Sequence, residues 1–241
     1  MIQNITHLLS KLNLLNTLKT PYFWASSAIL FLAFICLNPA TAKAPAAPAK
    51  PQTVLVFGDS LCAAYNIAPT SGWVYLLEQK LAPRDVKVVN ACVSGETTSG
   101  GLARLPAALK AHAPTVVVLE LGANDALRGL SVKQMRANLD AMVVAAQKMG
   151  ARVLVLGIQI PSNYGPQYTS DFRAVFADVA KKFKLDLVPF FLEALMTPVG
   201  MRADLMLDDR LHPNAAAQPM ILATVLPMIE KQLVASTAAK R

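Results

Sequence analysis

Apolar runs of strand length alternate with longer amphipathic segments from residue 53 to residue 233. The apolar runs are almost unbroken, which is typical of strands that are buried on both faces of a sheet. We therefore predict five strands, over residues 53–57, 86–91, 115–121, 152–158 and 185–188. Helical periodicity and capping residues predict intervening helices over residues 71–82, 98–112, 131–149, 171–183 and 215–233.

Strands that alternate with helices pair in parallel, and the helices cover both faces of the sheet. The pattern predicts an α/β protein, a three-layer α/β/α sandwich around a five-stranded parallel sheet of the flavodoxin-like kind. We expect the strand order 2-1-3-4-5.

Two prolines fall in helical segments. We expect Pro106 to start or kink its helix and Pro227 to bend the last one.

The N-terminal segment has the layout of a secretory signal peptide. Lys11 and Lys19 precede an uncharged apolar run over residues 23–37, and Ala40-Thr41-Ala42 follows as a small-residue cleavage site. The run is shorter than the roughly 20 residues that a membrane-spanning helix needs, and an uncleaved anchor is the alternative interpretation. We expect a signal peptide over residues 1–42 and a periplasmic or secreted product.

Residues 43–52 are rich in alanine and proline and predict an extended linker, which leaves one domain over residues 53–241. The whole chain has a formal net charge of +8, but the leader and the linker hold four of its cations, so the domain carries +4. A charge this small and scattered gives no sign of a nucleic-acid partner. We expect a monomer that meets a membrane only through its leader or a lipid substrate.

A serine follows the first predicted strand at once, in Gly58-Asp59-Ser60. The carboxyl ends of parallel strands are where open α/β sheets bind ligands, so Ser60 is placed for chemistry. A serine hydroxyl becomes a good nucleophile only when a neighbouring base takes its proton. Histidine suits this task because it titrates near neutrality.

His212 is the candidate base, because it lies in the loop before the last predicted helix. His112 is expected on the surface at the opposite rim of the sheet. Asp209 precedes His212 by three residues, a spacing that lets its carboxylate orient the imidazole. Asp208 is the alternative for that role. Ser60, His212 and Asp209 are therefore a candidate catalytic triad.

Three groups at the same rim are candidate donors for an oxyanion. They are the backbone N–H of Ser60, the backbone N–H of Gly95 and the side-chain amide of Asn124. Gly95 and Asn124 both follow predicted strands, so a parallel sheet brings their turns together. Taken singly, each is also typical of an ordinary turn or helix cap.

The short blocks that carry these residues resemble the GDSL, or SGNH, hydrolase family. The blocks are Gly58-Asp59-Ser60-Leu61, Gly95, Gly122-x-Asn124-Asp125 and Asp209-x-x-His212, within a resemblance that extends over residues 53–233. It implies Ser60 as nucleophile, His212 as base and Asp209 as the residue that orients the base. The same resemblance implies Ser60, Gly95 and Asn124 as oxyanion donors, and no metal or cofactor.

The resemblance also implies that the loop after the fourth strand helps to cover the acyl chain of a substrate. The substrate-binding residues implied there are Ile160, Pro161, Asn163 and Tyr164. Pro166 and Gln167 replace more basic residues of similar sequences, so the acyl-length preference is left open.

The expected function is that of a secreted serine esterase that hydrolyses carboxylic esters and thioesters through an acyl-enzyme. Its expected small-molecule substrates are aryl esters, acyl thioesters and lysophospholipids. A carbohydrate O-deacetylase of the same family is the alternative. A flavodoxin-like binding module is a third hypothesis, which the lack of a G-x-G-x-x-G run after the first strand disfavours.

Two cysteines and one acidic residue stand apart from this constellation. Cys62 and Cys92 lie near strand ends that face the same site. We expect two partly buried thiols, with a disulfide as the alternative.

Glu120 is a carboxylate in an otherwise apolar strand. We expect it, like Asp59 and Asp125, to belong to a structural network beside the site.

Overall fold

The computed structural model describes residues 51–238. The predicted leader, most of the linker and the three C-terminal residues lie outside that range. Five parallel strands form the central sheet: β1 (Gln52–Gly58), β2 (Val86–Asn90), β3 (Val116–Glu120), β4 (Arg152–Leu156) and β5 (Asp186–Val188). Their order is β2-β1-β3-β4-β5, which confirms the order expected from the sequence.

Helices flank the sheet on both faces. They are α1 (Trp73–Leu81), α2 (Thr98–His112), α3 (Ala123–Leu127), α4 (Val132–Lys148), α5 (Pro166–Phe183) and α6 (Gln218–Ala238). α1 packs against α6, whereas α4 packs against α2 on one side and α5 on the other. The predicted three-layer α/β/α sandwich is therefore confirmed. Within the described range, no helix combines the length and the apolar character needed to cross a membrane.

The central strand β1 is the most deeply buried part of the sheet. The side chains of Val54, Leu55, Val56 and Phe57 are all inaccessible to solvent, and β3 beside it is buried along its whole length. Burial of each such side chain stabilises the fold by about 1.5–3 kcal/mol. Packing on both faces thus explains the unbroken apolar run that predicted this strand. The same packing fixes where β1 ends.

Three helical segments differ from the predicted ones. α5 begins at Pro166, earlier than the expected residue 171, because the fixed φ of proline suits the first turn of a helix. Pro106 lies inside α2, which begins well before it at Thr98. The last segment is a 3₁₀ turn, Ala215–Ala217, followed by α6, which contains Pro227.

A short antiparallel hairpin between β5 and α6 was not predicted. Its strands, β6 (Met196–Thr197) and β7 (Gly200–Met201), contain two residues each. Two residues are too few to show the alternation that marks a strand in a sequence.

Cys62 and Cys92 form a disulfide, so the expectation of two free thiols was wrong. Their Cα atoms lie 5.8 Å apart, within the range that a disulfide spans. β1 and β2 are adjacent and pair in register, which places the segments after their ends side by side. The Asn90 side chain links these segments: its amide donates to the Cys62 carbonyl at 3.0 Å and its oxygen accepts from the Cys92 N–H at 3.0 Å.

Candidate active site

Ser60 lies in a tight turn that directly follows β1. The N–H of Ala63 donates to the carbonyl oxygen of Asp59 at 3.1 Å, so the chain turns as soon as the strand ends. Glycine is required at position 58, because a β-carbon on Gly58 would lie 2.5 Å from a carboxyl oxygen of Glu120. The turn leaves Ser60 partly exposed at the carboxyl edge of the sheet.

Ser60, His212 and Asp209 lie along one line of hydrogen bonds. Ser60 Oγ is 2.8 Å from His212 Nε2, and His212 Nδ1 is 2.7 Å from Asp209 Oδ2. Because a carboxylate only accepts, Nδ1 carries the proton and donates it to Asp209. Nε2 is then left to accept from the serine hydroxyl, which is the arrangement that a general base requires.

The loop before α6 holds His212 through local backbone pairing. The N–H of Leu207 donates to the His212 carbonyl at 2.8 Å, and the N–H of Asn214 donates to the Leu205 carbonyl at 2.8 Å. The Asn214 side chain then caps the 3₁₀ turn that leads into α6. The imidazole therefore has a fixed position although His212 is 152 residues from Ser60 in the sequence.

Asp209, and not Asp208, contacts the imidazole. Asp209 Oδ1 accepts from the N–H groups of Leu211 at 2.9 Å and His212 at 3.0 Å. Burial opposes the ionisation of Asp209, but these hydrogen bonds and the one to the ring outweigh it and lower its pKa below the usual 3.8. Asp208 is exposed, and within the described structure it makes no hydrogen bond to His212.

The two other candidate oxyanion donors follow β2 and β3. Gly95 lies in a turn after β2, and Asn124 lies in the short helix α3 after β3. The Asn124 amide donates to Asp59 Oδ2 at 3.1 Å, which fixes its orientation and leaves its second N–H for another acceptor. Gly95 has a φ of +78°, where glycine is favoured, and its carbonyl accepts from the Arg128 guanidinium at 2.8 Å. Asn124 shares a cavity with Ser60, whereas Gly95 is not among the residues that line it.

A buried polar network ties these two turns together. Asp125, next to Asn124, accepts from the N–H of Thr98 at 2.8 Å and from its hydroxyl at 2.5 Å. The Thr98 oxygen in turn accepts from the Asn138 amide at 3.0 Å. Asp125 thus braces its loop as expected. Thr98 and Asn138 were missed, because a polar residue that is buried on a helix leaves no local signal in the sequence.

Asp59 and Glu120 form a buried carboxyl pair beside Ser60. The Asp59 N–H donates to Glu120 Oε2 at 3.2 Å, and Asp59 Oδ1 accepts from the Leu61 N–H at 3.0 Å. Burial raises the pKa of Asp59 to about 6. Burial, together with the Asp59 charge, raises the pKa of Glu120 well above its usual value. The raised pKa thus favours the neutral carboxyl at Glu120, while the Asp59 oxygens accept from Leu61 and Asn124.

A cavity of about 480 Å³ opens beside Ser60, Asn124 and His212. Its wall is mainly apolar, with Leu61, Ile158, Ile160, Pro161, Phe190, Leu192 and three methionines among the lining residues. The cavity includes two of the substrate-binding residues that the resemblance implies, Ile160 and Pro161. Asn163 and Tyr164 do not line it, and Tyr164 stacks on Tyr168 with 6.4 Å between ring centroids.

Tyr65 contacts the candidate base and was also missed. Its ring centroid lies 4.3 Å from that of His212, and the planes are tilted by 36°. Ala64 and Asn66 flank it with φ values of 57° and 53°, a strained region for residues other than glycine. The Tyr65 ring therefore packs against the imidazole. The only local signal in the sequence is the closeness of Tyr65 to Ser60.

The part of the chain from residue 51 to residue 238 contains no cluster of three or more histidine, cysteine or acidic side chains that would hold a metal ion.

Residues 56–218 match the GDSL-like lipase/acylhydrolase family. The chain belongs to this family. The esterase TesA of Pseudomonas aeruginosa is 48% identical over 184 residues, which cover 76% of this chain and 90% of TesA. The thioesterase 1/protease 1/lysophospholipase L1 of Escherichia coli is 40% identical over 190 residues, 79% of this chain and 87% of that protein.

Solved structures of the GDSL family agree with this assignment. The crystal structure of the psychrotrophic esterase EstA from Pseudoalteromonas sp., inhibited by monoethylphosphonate, matches with a TM-score of 0.71 at 41% identity. The match covers 76% of this chain and 98% of EstA. The chain is therefore a serine ester hydrolase with the α/β fold of its GDSL relatives.

Replacing Tyr65 with leucine is expected to lower kcat about three- to fivefold with little change in KM, because a ring face stabilises an adjacent imidazolium modestly. Tyr65→Phe keeps the ring face and should retain the wild-type kcat. Tyr75 has a similar exposure, 36% against 38% for Tyr65, and Tyr75→Leu is the matched control. Steady-state hydrolysis of p-nitrophenyl butyrate measures all three. Equal kcat values for Tyr65→Leu and wild type would contradict this role.

Glu120→Gln should change how the free energy of unfolding depends on pH. The pKa of Glu120 is raised in the folded state, so its stabilising contribution is complete below the usual 4.5 and is lost as the pH rises towards the folded value. Glutamine does not ionise, so the variant does not lose this contribution to the free energy of unfolding as the pH rises. Relative to wild type, the variant should therefore gain stability as the pH rises above the usual 4.5, by up to about 1.4 kcal/mol per pH unit. Urea denaturation measures the difference, and a constant or falling difference would refute the assignment of the proton.

Proposed function

We propose that this chain is a secreted serine esterase that hydrolyses carboxylic esters and thioesters with apolar acyl groups through an acyl-enzyme. The observation that carries the proposal is the line of hydrogen bonds from Ser60 to His212 at 2.8 Å and from His212 to Asp209 at 2.7 Å. Both distances are within the reach that a nucleophile, its base and the group that orients the base require.

In the acylation step, Ser60 Oγ attacks the substrate carbonyl carbon while its proton passes to His212 Nε2. Asp209 stabilises the imidazolium that forms. The carbonyl oxygen becomes an oxyanion, for which the Ser60 N–H, the Gly95 N–H and the Asn124 amide are the proposed donors. His212 then gives the proton to the leaving alcohol or thiol as the bond to it breaks, and the acyl group stays on Ser60.

In the deacylation step, water takes the place of the leaving group. His212 accepts a proton from the water, whose oxygen attacks the acyl carbon. The second tetrahedral intermediate breaks down when the proton returns to Ser60 Oγ. A free carboxylic acid leaves, and the enzyme is restored without any co-reactant other than water.

The substrate class is proposed from the cavity and from the relatives. An apolar wall beside Ser60 favours an alkyl or aryl acyl group over a sugar. The similar proteins are called an esterase and a thioesterase 1/protease 1/lysophospholipase L1, so aryl esters, acyl thioesters and lysophospholipids are the proposed substrates here.

Export through an N-terminal signal peptide is part of the proposal. The apolar run over residues 23–37 and the cleavage site at residues 40–42 support it. The bond between Cys62 and Cys92 supports it independently, because disulfides persist in oxidising compartments outside the cytosol.

Substitution of the proposed triad tests the mechanism. Ser60→Ala should abolish both ester hydrolysis and covalent labelling by a fluorophosphonate, and Asp209→Asn should lower kcat about 10³- to 10⁴-fold because the wrong tautomer is favoured. Asp208→Asn is the matched control and should hydrolyse p-nitrophenyl butyrate within about twofold of wild type. Normal labelling of Ser60→Ala, or equal losses in the two aspartate variants, would overturn the assignment.

The dependence of rate on acyl length separates the esterase from the alternative O-deacetylase. An apolar cavity should raise kcat/KM from p-nitrophenyl acetate to butyrate and octanoate, by up to about fourfold for each methylene buried. A deacetylase should instead prefer acetate. A profile that falls from acetate onwards, with release of acetate from acetylated sugars, would favour the alternative.

A further inference from the structure

Arg210 lies in the loop between the proposed orienting residue, Asp209, and the proposed base, His212. Arg210 is exposed and is among the residues that line the same cavity as Ser60 and His212. Among the described residues that line this cavity, Arg210 alone carries a permanent charge, because the others are apolar, neutral or, at His212, titratable. An apolar cavity with a single fixed cation suits a substrate with an apolar part and an anionic part.

The Arg210 guanidinium has no acidic partner within the described part of the chain. It forms none of the salt bridges there and donates no side-chain hydrogen bond. The oxygens of Asp209 already accept from the Leu211 N–H, the His212 N–H and the imidazole. Asp208 is exposed, forms no ion pair there and does not line the cavity. Asp208 and Asp209 are the two carboxylates next to Arg210 in the sequence that oppose an anion.

The backbone at position 210 does not explain the presence of an arginine. Arg210 has a φ of 55°, in the left-handed region, where glycine is favoured because a β-carbon crowds the backbone. Strained backbone of this kind concentrates at functional sites. The side chain, rather than the fold of the loop, is therefore the feature that needs an explanation.

We propose that Arg210 forms an anion subsite for a phosphate group on the leaving-group side of the substrate. The proposal rests on the esterase function proposed above. His212 returns its proton to the leaving alcohol or thiol, and Arg210 is two residues from His212 in the same loop. The planar guanidinium fork matches phosphate oxygens in a bidentate geometry. The subsite would thus act on the alcohol or thiol portion, while the apolar wall takes the acyl chain.

Matched pairs of substrates test this subsite. One pair is 1-octanoylglycerol and 1-octanoylglycerol 3-phosphate, which share the same ester and differ only in the phosphate. The other pair is octanoyl pantetheine and octanoyl 4′-phosphopantetheine, which share the same thioester and differ only in the phosphate. The measured quantity is the ratio of kcat/KM for the phosphate-bearing substrate to that for its neutral partner, at concentrations below micelle formation.

For the wild type we expect a ratio of about three to five at low ionic strength, falling towards one at high salt, as for an exposed charge pair. Arg210→Gly should reduce the ratio to about one without lowering the melting temperature, because glycine suits the backbone at this position. Arg210→Lys should keep part of the ratio. Asp208→Asn should raise the ratio by removing one of the two opposing charges. Arg173→Gln, at an exposed arginine on α5, should leave the ratio unchanged.

The outcomes separate the two proposals. A preference in the glycerol pair alone supports a phosphorylated lipid, a preference in the thioester pair alone supports a phosphopantetheine carrier, and a preference in both supports the shared subsite. A wild-type ratio of one in both pairs, or a ratio that Arg210→Gly leaves unchanged, overturns the subsite but not the esterase. Failure of the wild type to hydrolyse any of the four substrates overturns the esterase itself.

Discussion

The parallel pairing of β1 with β2 on one side and β3 on the other is the constraint on which the rest of the site depends. The register sets Val56 opposite Asn90 and Gly58 opposite Glu120, so β1 and β3 end at one level and β2 ends two residues earlier. The segments that follow these strands carry Ser60, Gly95 and Asn124. A shift of one residue in either pairing would move a strand end by about 3.3 Å, more than a hydrogen bond tolerates.

This edge contains polar groups whose burial is costly unless they are paired. Asp59 is the point at which they meet: its N–H contacts Glu120, and its two carboxyl oxygens accept from Leu61 and Asn124. One carboxylate thereby shapes the serine turn and orients the amide that is proposed to bind the oxyanion. The raised pKa of the neighbouring Glu120 favours its neutral form, which is compatible with this burial.

The strands of the sheet and the residues of the hydrogen-bonded line could be predicted because local patterns mark them, whereas the strand order was expected from the fold class. Apolar runs marked the strands, and short spacing placed Asp209 beside His212. Long-range contacts leave no comparable local pattern in the sequence. The bond between Cys62 and Cys92 depends on a distance between two strand ends, and the packing of Tyr65 on His212 depends on how two distant loops meet. The hairpin β6–β7 was too short to be recognised at all.

The hairpin that contributes Met196 and Met201 to the cavity belongs to a different part of the chain from the turns that hold the reacting groups. Methionine side chains are unbranched and adaptable, so this side of the cavity can adapt to proposed acyl groups of varied shape. Mutations there can alter which substrates fit while the reacting groups keep their geometry. Within this architecture, substrate selectivity can therefore change during evolution while the reaction at Ser60 is retained.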